Sequence, residues 1–379
     1  MDKDNSEERL VDYLKSARTS LEHPDTFEKI HIVLGNESCD LDSSISATIL
    51  AFLLHKTRLN GIPEDALVVP IQNVSKENFL IRSDNCNIYQ EIGIPLGLLI
   101  YKDQIDIEDL VLSKDVTTTL VDHHMLSKDL EILESTVVNI FDHRPLESGT
   151  NWDQNKVEIV MNEVGSCSTL ITDLFISSAE QLLSKELAYL LYATIVVDCK
   201  ALDSSKGKAR ELDCKMAELL ENKYNFNDTR QTLFKKIMNL RTNVSNLTPK
   251  QILYKDTKII KGVPVPSLPM LVENFLKLKG GYEALKEFAA ESGTSVVVLK
   301  GADRGRKDVA VFGNAGSEEL KANILEVFFN NKEYDFQFSK QKTIYRNITL
   351  LNQGNLKLSR KQLVPLIEYA LSNNSVRLG

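Results

Sequence analysis

Apolar positions along this chain fall into two kinds of run. Short, nearly continuous ones occur at 30–34 (IHIVL), 66–71 (ALVVPI), 97–101 (GLLIY), 117–121 (TTTLV) and 137–141 (VVNIF). Their length, β-branched content and polar borders predict buried strands. Several are separated by stretches of helical spacing. Upstream, residues 7–22 carry Leu10, Leu14, Ala17 and Leu21 on one helical face until His23, Pro24 and Asp25 break the pattern. Strands alternating with helices predict an α/β fold with a doubly wound, mostly parallel sheet.

From about 167 to 220 the pattern turns helical, and the polar segment 221–230 (ENKYNFNDTR) predicts a boundary. The expected domains are 1–222 and 228–379. In the second, 295–301 (SVVVLKG) and 308–313 (DVAVFG) predict paired strands joined by the basic turn ADRGRK. Helices at 248–256, 269–290, 317–331 and 359–372 make it a smaller mixed α/β domain. The length of 379 residues agrees with two cores rather than one.

Charge narrows the function classes. A net charge of −8 argues against generic binding to a nucleic-acid backbone. An anionic substrate then requires local positive charge or a metal. The five cysteines, with no CxxC spacing, predict reduced thiols in a cytoplasmic protein with access to the nucleus, and argue against a zinc ribbon. The charged N-terminus and the lack of an apolar run of about 18 residues predict neither signal peptide nor membrane span.

Candidate chemistry begins in the loop GNESCDLDSS, residues 35–44. If IHIVL is a strand, this loop lies at its carboxyl end, where open α/β sheets bind ligands. Alternate residues of an extended segment point the same way, so Asp40 and Asp42 are expected to share a side. Two carboxylates held close call for a cation or a proton. Asn36 adds a neutral oxygen, and Ser43 or Ser44 can cap the following helix. Alone, the loop reads first as an Asx-rich cap.

Two more strand ends change that reading. TTTLV ends in Asp122, His123 and His124, and VVNIF ends in Asp142, His143 and Arg144, so three of the six histidines occur in near-copies of one pattern. With the Asp-rich loop they predict a shared metal site. Asp198 stands inside the apolar stretch 186–202. A buried, unpaired carboxylate is costly, which leaves metal ligation or a salt bridge to Lys200. Carboxylates and imidazole without thiolates suit Mg²⁺ or Mn²⁺, two or more ions per site. Such pairs serve in-line phosphoryl displacement, so the residues point to metal-assisted hydrolysis of a phosphoester or phosphoanhydride.

GNESCDLDS, VDHH, FDHR and VVDC, in that order, resemble the four motifs of the DHH phosphoesterase superfamily, and most closely those of the prune-type eukaryotic exopolyphosphatases. The resemblance implies metal ligation by Asp40, Asp42, Asp122, His143 and Asp198, with Asp122 bridging. Related family II pyrophosphatases carry His at the position of Asn36, which bears on the first metal's affinity and on substrate contact at Asn36. Many relatives carry a second His where this chain has Arg144, whose guanidinium suits a substrate phosphate. His123 is expected as a second contact or a phosphate contact, among the catalytic residues with Asp122, His143 and Arg144. His124 is expected to support Asp122.

In the second half, TPKQ at 248–251 and SRKQ at 359–362 are capping-box forms. SRKQLVP resembles the Ser-Arg-Lys motif of the DHHA2 domain, which implies phosphate binding by Arg360 and Lys361. Lys258 in KDTK is a weaker match to a further phosphate-binding lysine. The sister DHHA1 domain carries a Gly-rich motif with His, and LKGGYEA at 278–284 lacks the histidine. Arg304, Arg306 and Lys307 are left outside the site. The resemblance implies a site in a cleft between the domains and a short-chain exopolyphosphatase that releases terminal orthophosphate. It leaves open a cyclic-nucleotide phosphodiesterase, and an interaction scaffold with nucleoside diphosphate kinase as partner.

Overall fold

The computed structural model describes residues 8–145, 152–341 and 345–377. The chain divides into two compact units between Arg241 and Thr242. The first opens with α1 (Leu10–Leu21), β1 (Lys29–Leu34), α2 (Leu41–Thr57), β2 (Leu67–Gln72), α3 (Lys76–Leu80), α4 (Ser83–Glu91) and β3 (Ile100–Tyr101). It continues through α5 (Ile107–Ser113), β4 (Asp115–Val121), β5 (Val137–Asp142) and β6 (Glu158–Met161). Then come α6 (Cys167–Ala179), α7 (Lys185–Asp198), α8 (Glu211–Lys223) and α9 (Arg230–Thr242).

The strands form one parallel sheet in the order β3-β2-β1-β4-β5-β6. The chain builds outward from β1 to β3, then returns to lay β4 on the other side of β1. That reversal creates a topological switch point at the carboxyl ends of β1 and β4, where such sheets bind ligands. The strand expected at 97–101 shrinks to Ile100–Tyr101, because residues 96–98 form a 3-10 turn after Pro95. β6 escaped the pattern reading since it is short and nowhere fully buried.

α2 is buried on every side from Leu41 to Leu54. It packs on β1 and β2 and against α6 and α7, which explains its lack of a polar face. Its buried hydroxyls are bonded: Ser44 Oγ to Gln72 Oε1 at 2.6 Å and Thr48 Oγ1 to Tyr89 OH at 2.7 Å. Leu233 and Ile237 of α9 are buried in the same core. They carry the first unit past the polar stretch 221–230 to Arg241.

The second unit contains α10 (Pro249–Lys255), β7 (Thr257–Ile260), β8 (Val263–Leu268), α11 (Val272–Lys277), α12 (Gly281–Glu291), β9 (Val296–Asp303) and β10 (Arg306–Gly313). α13 (Glu318–Asn330), β11 (Phe338–Gln341), β12 (Ile348–Gln353) and α14 (Arg360–Arg377) follow. Its sheet runs β11-β12-β10-β9-β8-β7, with β8 and β9 parallel and the other pairs antiparallel. Val297 and Leu299 face the α10–α12 core while Val296 and Val298 face α13 and α14. SVVVLKG is therefore apolar throughout because both faces are covered.

The basic turn is a tight hairpin in which Arg304 and Gly305 both have positive φ, 43° and 76°. This backbone matches the twist of the paired strands. The helix expected over 269–290 is two helices. Gly280 has φ 79°, and a side chain on Gly281 would overlap the carbonyl of Phe275. Among the described residues no helix is long and apolar enough to cross a membrane.

Candidate functional site

The loop between β1 and α2 is built on close approach. A Cβ on Gly35 would overlap Ser43 Oγ, and that same hydroxyl accepts the Asn36 N–H at 2.6 Å. Asn36 Oδ1 then accepts from Ser38 N at 3.0 Å, Ser38 Oγ at 2.6 Å and Cys39 N at 3.1 Å. Its oxygen is consumed by its own loop rather than offered as the expected neutral ligand. Its Nδ2 donates to Asp122 Oδ2 at 2.7 Å, so Asn36 orients a carboxylate. From below, Asn73 holds Gly35 O, Arg82 holds Ser38 O and Asn85 holds Cys39 O, each at 2.9 Å.

Asp40 and Asp42 do not share an extended segment. Asp40 is the N-cap of α2, its Oδ1 accepting from Ser43 N at 3.1 Å, and it is exposed. Asp42 lies inside the first turn and is buried. Its Oδ1 accepts from Ser46 Oγ, Ser166 Oγ, Ser168 N and Ser168 Oγ at 2.8–3.1 Å, and its Oδ2 from Cys167 N at 2.7 Å. Asp42 thus caps α6 from another element, a favourable place for a negative charge. Oδ2, with one donor, keeps a lone pair.

β4 and β5 bring in the second and third motifs. Leu120 pairs with Leu34 of β1 and Val121 with Phe141 of β5, which brings the three strand ends level. Asp122 follows with φ 62°, a left-handed backbone that Asp tolerates better than most residues. Its buried carboxylate meets His143 Nε2 at 3.2 Å and Arg144 Nη2 at 3.0 Å, both on Oδ1. Burial first, then the charge of Asp42, pushes the Asp122 carboxyl up to about 8, against the hydrogen bond from His143. His143 Nδ1 bonds Val164 O at 2.9 Å, which turns Nε2 toward Asp122. Burial disfavours its charge, yet Asp122 and Asp42 outweigh this and raise His143 to about 9.

His124 pairs with Asp142, Nδ1 to Oδ2 at 2.6 Å, so it braces the third motif instead of Asp122. Asp142 Oδ1 also accepts the His143 and Arg144 N–H groups at 2.7 and 3.2 Å, fixing the turn that carries both. His123 Nδ1 bonds Val121 O at 3.0 Å, while its Nε2 is buried without a partner. Burial pushes this imidazole down to about 4, so it is neutral at physiological pH.

Asp198 ends α7, and burial, then Asp42 and Asp40, push its carboxyl well up. No ion pair joins it to Lys200 among the described residues; the Lys200 ammonium lies 5.8 Å from the Phe234 ring centre. The opposing charge comes from Arg241 of α9, a residue the motif reading missed. It stands 43 residues after Asp198 with no pattern around it, so only folding reveals it.

Ligand atoms of Asp42, Asp122 and His143 lie within 4.8 Å of one another. Two carboxylates and an imidazole with its Nε2 turned inward are, once deprotonated, a donor set for a hard divalent cation. The raised carboxyls fit this reading, because they mark negative charge in excess of the local cations. In the second unit, Arg360 Nη1 and Nη2 bond Asp256 O and Oδ1 at 2.8 and 2.6 Å, and Nη1 bonds Val265 O at 3.2 Å. Lys361 is exposed at the start of α14, and Lys258 is exposed on β7.

Residues 30–195 match the model of the DHH family, N-terminal domain, and residues 235–370 that of the DHHA2 domain. Exopolyphosphatase PRUNE1 of Homo sapiens is 33% identical over 379 residues, covering 96% of this chain and 80% of that protein. The chain belongs to the prune-type DHH–DHHA2 family. Protein prune homolog 2 of Mus musculus is 25% identical over 311 residues, which cover 80% of this chain and 10% of that protein. A crystal structure from Methanococcus jannaschii, described as a family II inorganic pyrophosphatase, has 22% identity and a TM-score of 0.58, covering 90% of this chain and 99% of that one. It shares the fold. In this prune-type chain Asp42, Asp122 and His143 gather at the switch point, whereas Arg360 is engaged within its own unit.

Proposed function

We propose that this chain hydrolyses phosphoanhydride bonds, releasing terminal orthophosphate from short inorganic polyphosphates. The reading rests on the convergence of Asp42, Asp122 and His143 at the sheet's switch point, and similarity to an exopolyphosphatase over nearly the whole chain supports it. Asp40, Asp42, Asp122, His143 and Asp198 would hold Mn²⁺ or Mg²⁺. When bound, such ions lower the pKa of water and offset charge on phosphoryl oxygens. Arg144, half-exposed while it touches Asp122, can donate to a phosphate through its planar fork. His123, neutral and with Nε2 unprotonated, suits accepting a hydrogen bond from water or a protonated phosphate oxygen, more than binding an anion by charge. Arg360 and Lys361 are proposed to bind phosphate on the strength of the DHHA2 match.

A panel assay with Mn²⁺ or Mg²⁺ tests this reading against pyrophosphate, tri- and tetrapolyphosphate, long polyphosphate and cyclic AMP. Orthophosphate release fastest from the short chains is expected. Turnover of cyclic AMP alone would make the chain a phosphodiesterase, and no turnover of any phosphoanhydride would reject the proposal.

Ligand protonation makes a second prediction. Asp122 and His143 both titrate above their ordinary values, at about 8 and 9, so the metal-free fold holds protons that the unfolded chain releases. The stability that Asp122 contributes is therefore full below about pH 4 and lost as pH rises through about 8, and that of His143 is full below about 6.5 and lost through about 9, while His123, held down to about 4, acts in the opposite sense toward acid. Metal binding displaces these protons, so Mn²⁺ affinity should rise on the order of tenfold per pH unit for each proton released between pH 6.5 and 8.5. Calorimetry across that range reads it; an affinity independent of pH would contradict it.

A further inference from the structure

Helix α9 is fastened to α4 at two points. Lys236 Nζ pairs with Glu91 Oε1 at 2.5 Å and Arg241 Nε with Asp84 Oδ2 at 2.6 Å. α4 in turn holds the metal loop, since Asn85, next to Asp84, bonds the carbonyl of Cys39, the neighbour of Asp40. Two linked contacts therefore bring the Arg241 guanidinium to the carboxylate loop. Asp84 engages only its Nε edge at that contact, and Nη2 is buried with no hydrogen-bond partner. Its other acidic neighbours are Asp198 and Asp40, both expected ligands, and Lys200 is a like-charged one.

An unmet buried donor costs about 1–3 kcal/mol, so its persistence asks for an acceptor that the chain does not supply. The other unpaired atoms around the same loop and strand end, Asn73 Oδ1, Asn85 Oδ1 and His123 Nε2, are acceptors, so Arg241 Nη2 is the unmet donor among them. With Asp84 on the Nε edge and Asp40 and Asp198 expected as cation ligands, the Nη edge of Arg241 is the part left to donate to an anion.

We infer that Arg241 is a substrate-binding residue that donates from its Nη edge to a phosphate oxygen, giving the first unit two guanidinium groups for a polyphosphate, Arg144 and Arg241. The inference rests on the proposed phosphoanhydride chemistry. The competing role is a clamp that merely ties α9 to α4 through Asp84.

Full-length wild type, Arg241→Gln, Arg241→Lys and Asp84→Asn separate the two. Three readouts are needed: calorimetric binding of imidodiphosphate with Mn²⁺, KM and kcat on tripolyphosphate, and melting temperature. Arg241→Gln should weaken imidodiphosphate binding about tenfold or more and raise KM more than it lowers kcat. Arg241→Lys should recover part of the loss, as charge without the fork. Asp84→Asn should lower the melting temperature yet bind imidodiphosphate within about threefold of wild type. Unchanged binding in Arg241→Gln, or parallel losses of binding and stability in Arg241→Gln and Asp84→Asn, would overturn the assignment in favour of the clamp. If Arg241→Gln does not fold, Arg241→Lys carries the comparison, and wild-type affinity in it overturns the assignment. A wild type that binds imidodiphosphate but hydrolyses nothing refutes the proposed reaction, and the binding comparison still judges Arg241. A wild type that binds none overturns the assignment.

Discussion

Asp122→Asn is expected to lower orthophosphate release by about three orders of magnitude or more, roughly 4 kcal/mol in the barrier, while leaving the metal-free chain at least as stable as wild type at pH 7. Asp122 is where the three strand ends meet, and its Oδ1 faces both His143 and Arg144. An amide keeps the shape and tolerates the left-handed φ of 62°. It can still accept from Asn36 Nδ2, and its own N–H can reach a neutral His143 Nε2, while Arg144, half-exposed, gives up its bond on that edge and turns to solvent. What it loses is the negative charge that a divalent cation requires. The folded-state pKa of Asp122 is raised to about 8, so deprotonation costs the metal-free fold stability as pH climbs through that value. The amide removes this cost, and the variant should melt higher than wild type at pH 9 in EDTA. Activity within tenfold of wild type would remove Asp122 from the centre of the chemistry. A large melting loss in EDTA at pH 7 would make its role structural.

Asp42→Ala should behave differently, losing both activity and fold. Its carboxylate accepts from Ser46, Ser166, Cys167 and Ser168, and it caps α6 across the core. Truncation leaves the buried N–H groups of Cys167 and Ser168 unmet and a void between α2 and α6. The expected cost is about 3–5 kcal/mol in the first unit's unfolding transition, the range for breaking a buried charged network. Urea unfolding followed in EDTA measures this without any metal contribution. A loss below about 1 kcal/mol would mean that α6 does not depend on the carboxylate. The contrast between Asp122→Asn and Asp42→Ala thus separates a carboxylate kept for chemistry from one that also organises the fold.

How far the site was legible in the sequence varies residue by residue. The strand-then-Asp-His pattern is local, so Asp122 and His143 could be read from spacing once the apolar runs were taken as strands. Asn36 could not. Its residue type suits a metal ligand, a cap or a turn equally, and only its three loop donors and its bond to Asp122 distinguish these roles. His124 is a similar case, since adjacency suggested Asp122 but the β4 to β5 pairing puts Asp142 within reach. Arg360 stands inside a recognisable motif, yet its bonds to Asp256 come from an element 104 residues away.

By itself the sequence determined which runs become strands, that they alternate with helices, and which short motifs close the strands with carboxylate and imidazole. These follow from periodicity and side-chain chemistry, properties of neighbours along the chain. Only the tertiary structure decided that β4 lies beside β1, that Asp42 caps α6, that Asn36 serves Asp122 and that Arg241 reaches the carboxylate loop. Each of those depends on residues far apart in sequence, whose contact is set by the packing of buried surfaces rather than by any local preference.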